Sequence, residues 1–358
     1  MSKKCIIAIS SFRFTNFTIW IIDITKLDWL NSQHLLNLTL EDFKNYKVEI
    51  SEPIVASYRG NLVFTAGPPS GGGITLLTAL NVLSFYDLNK YNSDSAITYH
   101  LTSEALRRGH NNRSHFVGDP DYFDVPVTQL LSKERTMELA KSIDIKKASK
   151  STVVKPLELI KESRDTTHFS IIDKDGNAVS NTYTLGYSFG SGVTIPDTGI
   201  LMNNQMNNFA YRYGDKNIRG RSASTGNRFE PGKSPMSTMA PTMVFNEEGD
   251  LMLITGSPGG SLIPAAILRV ITGVVDFNLD IGQATMLPRV HKDWPTTGIL
   301  YERTLNSDVV RIINKTIGHK MTPEHTMGST QSIHIINGTN YGFADLRRPN
   351  ASVSIQTN

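Results

Sequence analysis

The stretch Thr166-Thr167-His168-Phe169-Ser170-Ile171-Ile172-Asp173-Lys174-Asp175-Gly176-Asn177-Ala178-Val179-Ser180-Asn181-Thr182-Tyr183-Thr184 decides the reading of the fold. Residues 168–172 and 178–184 are rich in β-branched and aromatic side chains, and the polar run with glycine between them is a strong hairpin signal. A three-residue loop, Lys174-Asp175-Gly176, would close on a left-handed glycine and set Thr166 opposite Thr184 with both side chains on one face. A two-residue loop, Asp175-Gly176, would shift the register and put the two threonines on opposite faces. The pattern alone leaves both open. On residue types alone, two facing threonines are an ordinary β-rich surface pair.

Upstream of the hairpin, residues 39–43 read as a short helix opened by a threonine cap. Strands are expected at 53–56 and 62–65 around the turn Tyr58-Arg59-Gly60-Asn61. The loop Gly67-Pro68-Pro69-Ser70-Gly71-Gly72-Gly73 runs into a helix at 74–85, and further helices are expected at 96–109 and 133–143. Gly118-Asp119-Pro120-Asp121 is a turn cluster. Residues 146–165 are polar and read as an exposed linker. Downstream, strands at 243–245 and 251–255 flank a turn, a buried helix covers 259–274, and a shorter helix covers 280–287. A last hairpin is expected at 331–336 and 340–345 over Asn337-Gly338-Thr339. Residues 1–35 have no clear period, and no internal repeat is visible. Helices flanking hairpin-rich sheets imply a layered fold with antiparallel pairing.

The chain has 358 residues, enough for one large or two ordinary domains. Its net charge of +3, from 36 basic and 33 acidic residues, is too balanced to indicate a nucleic-acid partner. The local run Lys146-Lys147, Lys150 and Lys155 reads as a solvated face. Cys5, the single cysteine, excludes an internal disulfide and any cysteine-based metal site. The nine histidines show no HExxH-type spacing. Lys3-Lys4 precedes an apolar run from Cys5 to Ile9, but Ser10, Ser11, Arg13 and Thr15 interrupt it too early for a good signal-peptide core, and the compartment stays open. No stretch reaches the length of a membrane span. The nearest, 251–277, contains Ser257-Pro258-Gly259-Gly260 and Arg269, and reads as a buried loop followed by a core helix.

From about residue 39 to the C-terminus the sequence resembles the γ-glutamyltranspeptidase family. Thr166-Thr167-His168-Phe169-Ser170 is similar to the segment at which family precursors are cleaved. The likeness continues through Asp175 to Ser180, Thr182-Tyr183-Thr184-Leu185, Phe189-Gly190-Ser191-Gly192 and Gly199 to Met206. It extends through Ser234-Pro235-Met236-Ser237-Thr238-Met239-Ala240-Pro241-Thr242 and Gly256-Ser257-Pro258-Gly259-Gly260. Upstream, Tyr58-Arg59-Gly60, Pro68 to Gly72, Arg113-Ser114 and Gly118 to Asp121 also match.

The resemblance implies an α+β fold, the four-layer αββα sandwich of N-terminal-nucleophile hydrolases. It divides the chain into a divergent segment 1–35, a shortened large-subunit part 36–165 and a small catalytic subunit 166–358. Thr166 would cut the Asp165–Thr166 bond and then act as the N-terminal nucleophile. A threonine hydroxyl needs a nearby base, and its own freed α-amino group, with a reference pKa of about 7.7–8.0, supplies one. By resemblance, Thr184 would orient the nucleophile, and Gly259 and Gly260 would offer backbone N–H groups to the tetrahedral oxyanion. Outside this constellation, the Gly-Gly pair reads as a turn entering a helix. Ser237 and Thr238 match the hydroxyl pair that binds the substrate α-carboxylate; in isolation they read as a cap or turn. Gln205 and Asn208 match positions that hold the α-amino group.

Three features depart from the family pattern. Asn208 stands where relatives place an aspartate, so the charge-assisted part of ammonium binding is lost. Gly186 stands where many relatives place a substrate-binding asparagine. The resemblance also implies that the family's N-terminal portion, with its carboxylate-clamping arginine, would be missing here, and Arg13 has no matching context. Arg212, Arg219 and Arg221, in the lid-like segment, are either a substitute anion contact or ordinary surface charges. The implied activity is a γ-glutamyltransferase or glutathione hydrolase, transferring an acyl group through Thr166 to water or an amino acid. The alternatives are an acylase-type amidohydrolase with relaxed α-amino recognition and a truncated, inactive homologue. The implied partners are a small γ-glutamyl amide such as glutathione, the chain's own two fragments as a heterodimer, and a separately encoded N-terminal chain. No metal or organic cofactor is implied. The family is usually exported, and this chain shows no clear signal peptide.

Overall fold

The computed structural model describes residues 5–11, 40–149, 166–195, 199–212, 216–217, 224–295 and 298–356. Its centre is a six-stranded sheet in the order β14-β13-β9-β8-β3-β2. Those strands are β2 (Ile54–Tyr58), β3 (Asn61–Thr65), β8 (Thr242–Phe245), β9 (Leu251–Thr255), β13 (Gln331–Ile336) and β14 (Thr339–Ala344). Against it lies a three-stranded sheet, β1-β5-β4, made of β1 (Cys5–Ser11), β4 (Thr167–Ile172) and β5 (Ala178–Thr184). Minor strands are β6 (Ala210–Arg212), β7 (Lys216–Asn217), and a small sheet of β10 (Val290–His291), β11 (Gly298–Glu302) and β12 (Lys320–Glu324).

The helices are α1 (Leu40–Asn45), α2 (Gly71–Leu83), α3 (Ala96–Phe116), α4 (Val127–Leu130), α5 (Lys133–Lys141), α6 (Ile263–Val275), α7 (Ile281–Met286) and α8 (Ser307–Ile312). The main core packs Leu76, Leu80 and Leu83 of α2, Leu101, Ala105 and Leu106 of α3, and Ile267, Leu268 and Ile271 of α6 with Val63, Val244 and Leu253 of the large sheet. A smaller cluster, Ala178, Met243 and Ile254 with Ile7, Ile172 and Ile333, joins the two sheets at the turn end of the hairpin. The described layers are therefore helices, large sheet and small sheet, in keeping with an α+β fold.

Several elements differ from the sequence reading. Residues 5–11 form a strand, parallel to β5 with Cys5 beside Ala178 and Ser11 beside Thr184. The helix expected at 96–109 continues to Phe116. Gly109 lies inside it because α2 crosses there: a Cβ on Gly109 would sit 2.4 Å from the Thr75 carbonyl oxygen. The helix expected from 259 begins at Ile263, because Gly259 (φ 135°) and Gly260 (φ 57°) take backbone conformations that a regular helix excludes. Conversely α2 starts within the glycine run, capped by Ser70, whose hydroxyl accepts from Gly72 N. The glycines are needed by space: a Cβ on Gly72 would come 2.2 Å from the Thr238 carbonyl. The linker after residue 149, with Asp165, Arg219 and Arg221, lies outside the described residues, as do the side chain of Arg212 and residue Arg13.

Tyr58-Arg59-Gly60 acts as a structural rivet. Tyr58 OH donates to Asp276 Oδ2 (2.5 Å) and Arg59 Nε to Asp276 Oδ1 (2.9 Å). The remaining Arg59 nitrogens donate to the Leu83 and Ser84 carbonyls that end α2. One motif thus ties the β2–β3 hairpin to the C-terminal ends of α2 and α6.

Candidate active site

Strands β4 and β5 pair with Thr167 opposite Tyr183, His168 opposite Thr182 and Ser170 opposite Ser180. This is the register of the three-residue loop. Gly176 (φ 80°) donates to the Asp173 carbonyl at 3.1 Å, and Asp173 N to the Asn177 carbonyl at 3.0 Å. Thr166, at the mouth of β4, and Thr184, at the end of β5, are both buried, with their hydroxyl oxygens 3.4 Å apart. Gly186 N donates to Thr184 Oγ1 at 2.9 Å and so fixes its orientation. The glycine at 186 is required locally: its φ is 95°, and a Cβ would fall 1.9 Å from Asn204 Oδ1.

Beneath the threonines the inner face of the hairpin is polar. His168 Nδ1 lies 2.8 Å from Thr182 Oγ1 and Nε2 lies 3.1 Å from Ser170 Oγ, whose hydroxyl donates to the Gln331 carbonyl. Burial pushes the His168 imidazole down to about 3, so it is neutral at ordinary pH. Its ring fills the space above Gly256, where any Cβ would be 2.2 Å from it.

Gly256 continues β9 through Ser257 and Pro258 to Gly259 and Gly260. Ser257 Oγ accepts from Ser329 N at 3.0 Å, and Gly328 packs so closely that a Cβ on Gly259 would lie 3.3 Å from its Cα. The glycine pair is clasped between the α6 entry and the strand leading into β13. Ser237 and Thr238 sit against the glycine loop of α2. Ser237 N donates to the Pro69 carbonyl (3.1 Å), Gly71 N to the Ser237 carbonyl (2.8 Å), and Met239 N to Ser237 Oγ (3.1 Å).

Gln205 and Asn208 lie three apart on a single 3₁₀ turn, which brings them to one side. Asn208 Nδ2 donates to Gln205 Oε1 (2.7 Å), and Gln205 Nε2 to the Thr184 carbonyl (3.4 Å). The Gly118–Asp121 turn clasps the downstream segment through Asp119 Oδ2, which accepts from Ser234 N at 2.6 Å.

The sequence reading missed two side chains here. Asn227, fully buried, donates to the Asn208 carbonyl (2.7 Å) and accepts from Met236 N (2.8 Å), linking the Gln205–Asn208 turn to the Ser237 loop. Arg348 Nη1 donates to the Thr166 carbonyl at 3.1 Å.

The sequence model of gamma-glutamyltranspeptidase matches residues 36–355. The chain belongs to the gamma-glutamyltranspeptidase family. It is 39% identical over 312 residues to the glutathione hydrolase proenzyme of Escherichia coli (strain K12), covering 87% of this chain and 53% of that protein. It is 33% identical over 316 residues to the acylase ACY 1 proenzyme of Pseudomonas sp. (strain SE83), covering 88% and 54%. The fold matches cephalosporin acylase from Bacillus halodurans with TM-score 0.76 and 26% identity, over 94% of this chain and 58% of that one. The chain thus spans about half the length of the curated relatives it matches.

A second polar cluster lies on α3. His100, Glu104 and His319 bring candidate ligand atoms within 4.8 Å of one another. Lys292 Nζ, however, is 2.8 Å from Glu104 Oε1, and Arg108 Nη1 and Arg107 Nη2 are 2.6 and 3.1 Å from Oε2. Burial would raise the Glu104 pKa, but these cations hold it well below the usual carboxylate range. A divalent ion there would face three positive charges, so the residues present make an ion-pair hub and do not fit a metal.

Proposed function

We propose that this chain is a self-processing γ-glutamyltransferase or glutathione hydrolase-like enzyme. The observation that carries the proposal is the buried pair of Thr166 and Thr184, hydroxyl to hydroxyl at 3.4 Å, in a chain of this family. In the first step Thr166 Oγ attacks the carbonyl carbon of residue 165. The C–N bond breaks as the hydroxyl proton passes to the nitrogen, which leaves as the α-amine, and water then hydrolyses the ester to free both the hydroxyl and a carboxylate. In the second step the amine takes the hydroxyl proton as Oγ attacks a substrate amide. The leaving amine departs protonated, and water or an amino acid resolves the acyl-enzyme. Thr184 orients the nucleophile, Gly259 and Gly260 stabilise the oxyanion, and Ser237, Thr238, Gln205 and Asn208 hold the donor's α-substituents.

The two products, 1–165 and 166–358, stay associated on this reading. The large sheet takes β2 and β3 from the first and four strands from the second, joined by the β3–β8 ladder from Leu62↔Phe245 to Thr65↔Thr242. The separately encoded partner would cover the outer face of the small sheet, where Ile6, Phe169 and Ile171 are exposed.

A second reading, an acylase acting on acyl groups without an α-ammonium, is favoured by the neutral Asn208 and by the fold likeness to a cephalosporin acylase. Both readings predict self-cleavage. Denaturing gels and intact mass of the purified protein should give fragments beginning at Met1 and Thr166, and Thr166→Ala should remain one chain. A single uncut chain in both would overturn the proposal.

A further inference from the structure

A continuous line of hydrogen bonds runs from Thr184 through both groups of residues proposed to hold the donor. The Thr184 carbonyl accepts from Gln205 Nε2 at 3.4 Å, and Gln205 Oε1 accepts from Asn208 Nδ2 at 2.7 Å. The Asn208 backbone carbonyl accepts from Asn227 Nδ2 at 2.7 Å, and Asn227 Oδ1 accepts from Met236 N at 2.8 Å. Met236 leads into Ser237, whose N–H and carbonyl are held by Pro69 and Gly71 in the glycine loop of α2. Asn227 is thus the link between Gln205 with Asn208 on one side and Ser237 with Thr238 on the other.

The link makes a strict chemical demand. A backbone carbonyl only accepts and a backbone N–H only donates, so its two partners fix which way round the Asn227 amide sits. A side chain here must donate and accept at once, which a carboxamide does. Leucine has the same branched shape and satisfies neither partner. The seat of Asn227 is firm. It ends the 3₁₀ turn Thr225–Asn227, with its own N donating to the Ser224 carbonyl at 3.0 Å. Ser224 Oγ donates to the Val117 carbonyl, where α3 ends. Phe123 covers Gly226 so closely that a Cβ there would lie 2.4 Å from its ring. Arg228, the next residue, bridges to Ala210, two residues beyond Asn208. Asn227 itself is fully buried.

We propose that Asn227 is a positioning residue for donor recognition: it holds the Gln205–Asn208 turn and the Ser237–Thr238 loop at a fixed separation, so that the α-amino and α-carboxylate groups of one donor are recognised together. The inference rests on the γ-glutamyl reading above. A donor held by its carboxylate already presents its α-nitrogen to Asn208, so the second contact costs little further orientational freedom. The two contacts therefore reinforce each other, by on the order of tenfold for groups tied into one hydrogen-bond network.

Four 4-nitroanilides separate the two halves: γ-glutamyl, glutaryl (no α-amino group), 4-aminobutyryl (no α-carboxylate) and butyryl (neither). The coupling ratio is kcat/KM for γ-glutamyl times that for butyryl, divided by the product for the other two. A uniform loss of turnover from disturbed packing cancels from this ratio, so a merely structural role leaves it unmoved. In self-cleaved wild type the ratio should be on the order of ten, and in Asn227→Leu and Asn227→Ala it should fall to about one, chiefly through a higher KM for the γ-glutamyl donor. A wild-type ratio near one overturns the inference, and so do variants that keep the wild-type ratio. Variants that are not cleaved, or that lose turnover of all four donors, also overturn it, because Asn227 would then support the fold or its processing and not donor recognition. A wild type that stays uncut, or that does not prefer γ-glutamyl to glutaryl, overturns the underlying reading and this inference with it.

Discussion

Asn208 is a neutral amide whose Nδ2 already serves Gln205 Oε1, so in the proposed binding role its own carbonyl oxygen would accept from a donor's α-nitrogen. An aspartate there would meet an α-ammonium with a bond roughly twice as strong, a difference of about 1–2 kcal/mol. Asn208→Asp should therefore raise the kcat/KM ratio of γ-glutamyl donors over donors lacking the α-amino group by on the order of tenfold. Kinetics on one such pair of donors checks this, and an unchanged ratio would remove Asn208 from amine recognition. The positions proposed to react and bind could be named from sequence because each sits in a local motif: Thr166 in Thr-Thr-His, Gly259 in Ser-Pro-Gly-Gly, Ser237 in Pro-Met-Ser-Thr. Asn227 and Arg348 could not. The first reads locally as a turn residue and the second as a surface charge. Each gains its role only from partners far away in sequence, Met236 with Asn208 and Thr166 respectively.

At the scale of the element, everything at the site depends on the phase of one hairpin. The loop closed by Gly176 sets Thr166 and Thr184 on the inner face with His168, Thr182, Ser170 and Ser180, and leaves Phe169 and Ile171 outside. Deleting Ile172 keeps the loop but brings Ile171 opposite Ala178 and Thr166 opposite Tyr183, which moves every upstream pair by one residue and turns Thr166 to the other face from Thr184. The expected result is an uncut chain by intact mass that retains wild-type far-ultraviolet circular dichroism. Cleavage at the normal rate would mean that register does not bring the hydroxyls together. The same element shows what composition leaves undecided, because both loops fit the residues and only packing against β9 and β13 selects one. Helix α3 was cut short in the sequence reading for a related reason. Its second half is polar and buried, with Arg107, Arg108 and Arg113 directed at distant segments, and apolar periodicity carries no signal for that. β1 was missed because its ladder is with β5, too remote for any local hairpin signal.

Across the whole molecule, the interior holds an unusual number of polar groups between its layers, and this makes stability sensitive to acid. His100, His168, His319 and His334 are all buried, and burial lowers the pKa of each, with His168 and His319 down to about 3. For His319 the neighbouring Lys292 and His100 add to the effect. The unfolded chain takes up these protons near pH 6.5 while the folded chain does not. Their contribution is therefore complete above about pH 6.5 and is lost as pH falls toward 3. Each neutral histidine steepens the loss by up to about 1.4 kcal/mol per pH unit. Asp276, raised by burial, works in the opposite sense, while Glu104 and Asp345 are held low by their cations and add to the loss only in the carboxylate range. Between pH 6.5 and 5 the histidines dominate, so the urea midpoint should fall steadily through that window. His168→Asn should flatten the fall by about one histidine's share. A midpoint that stays level from pH 7 to 5 would mean that these rings are solvated or already charged in the folded protein, and that the polar layer beneath Thr166 is not the closed one described.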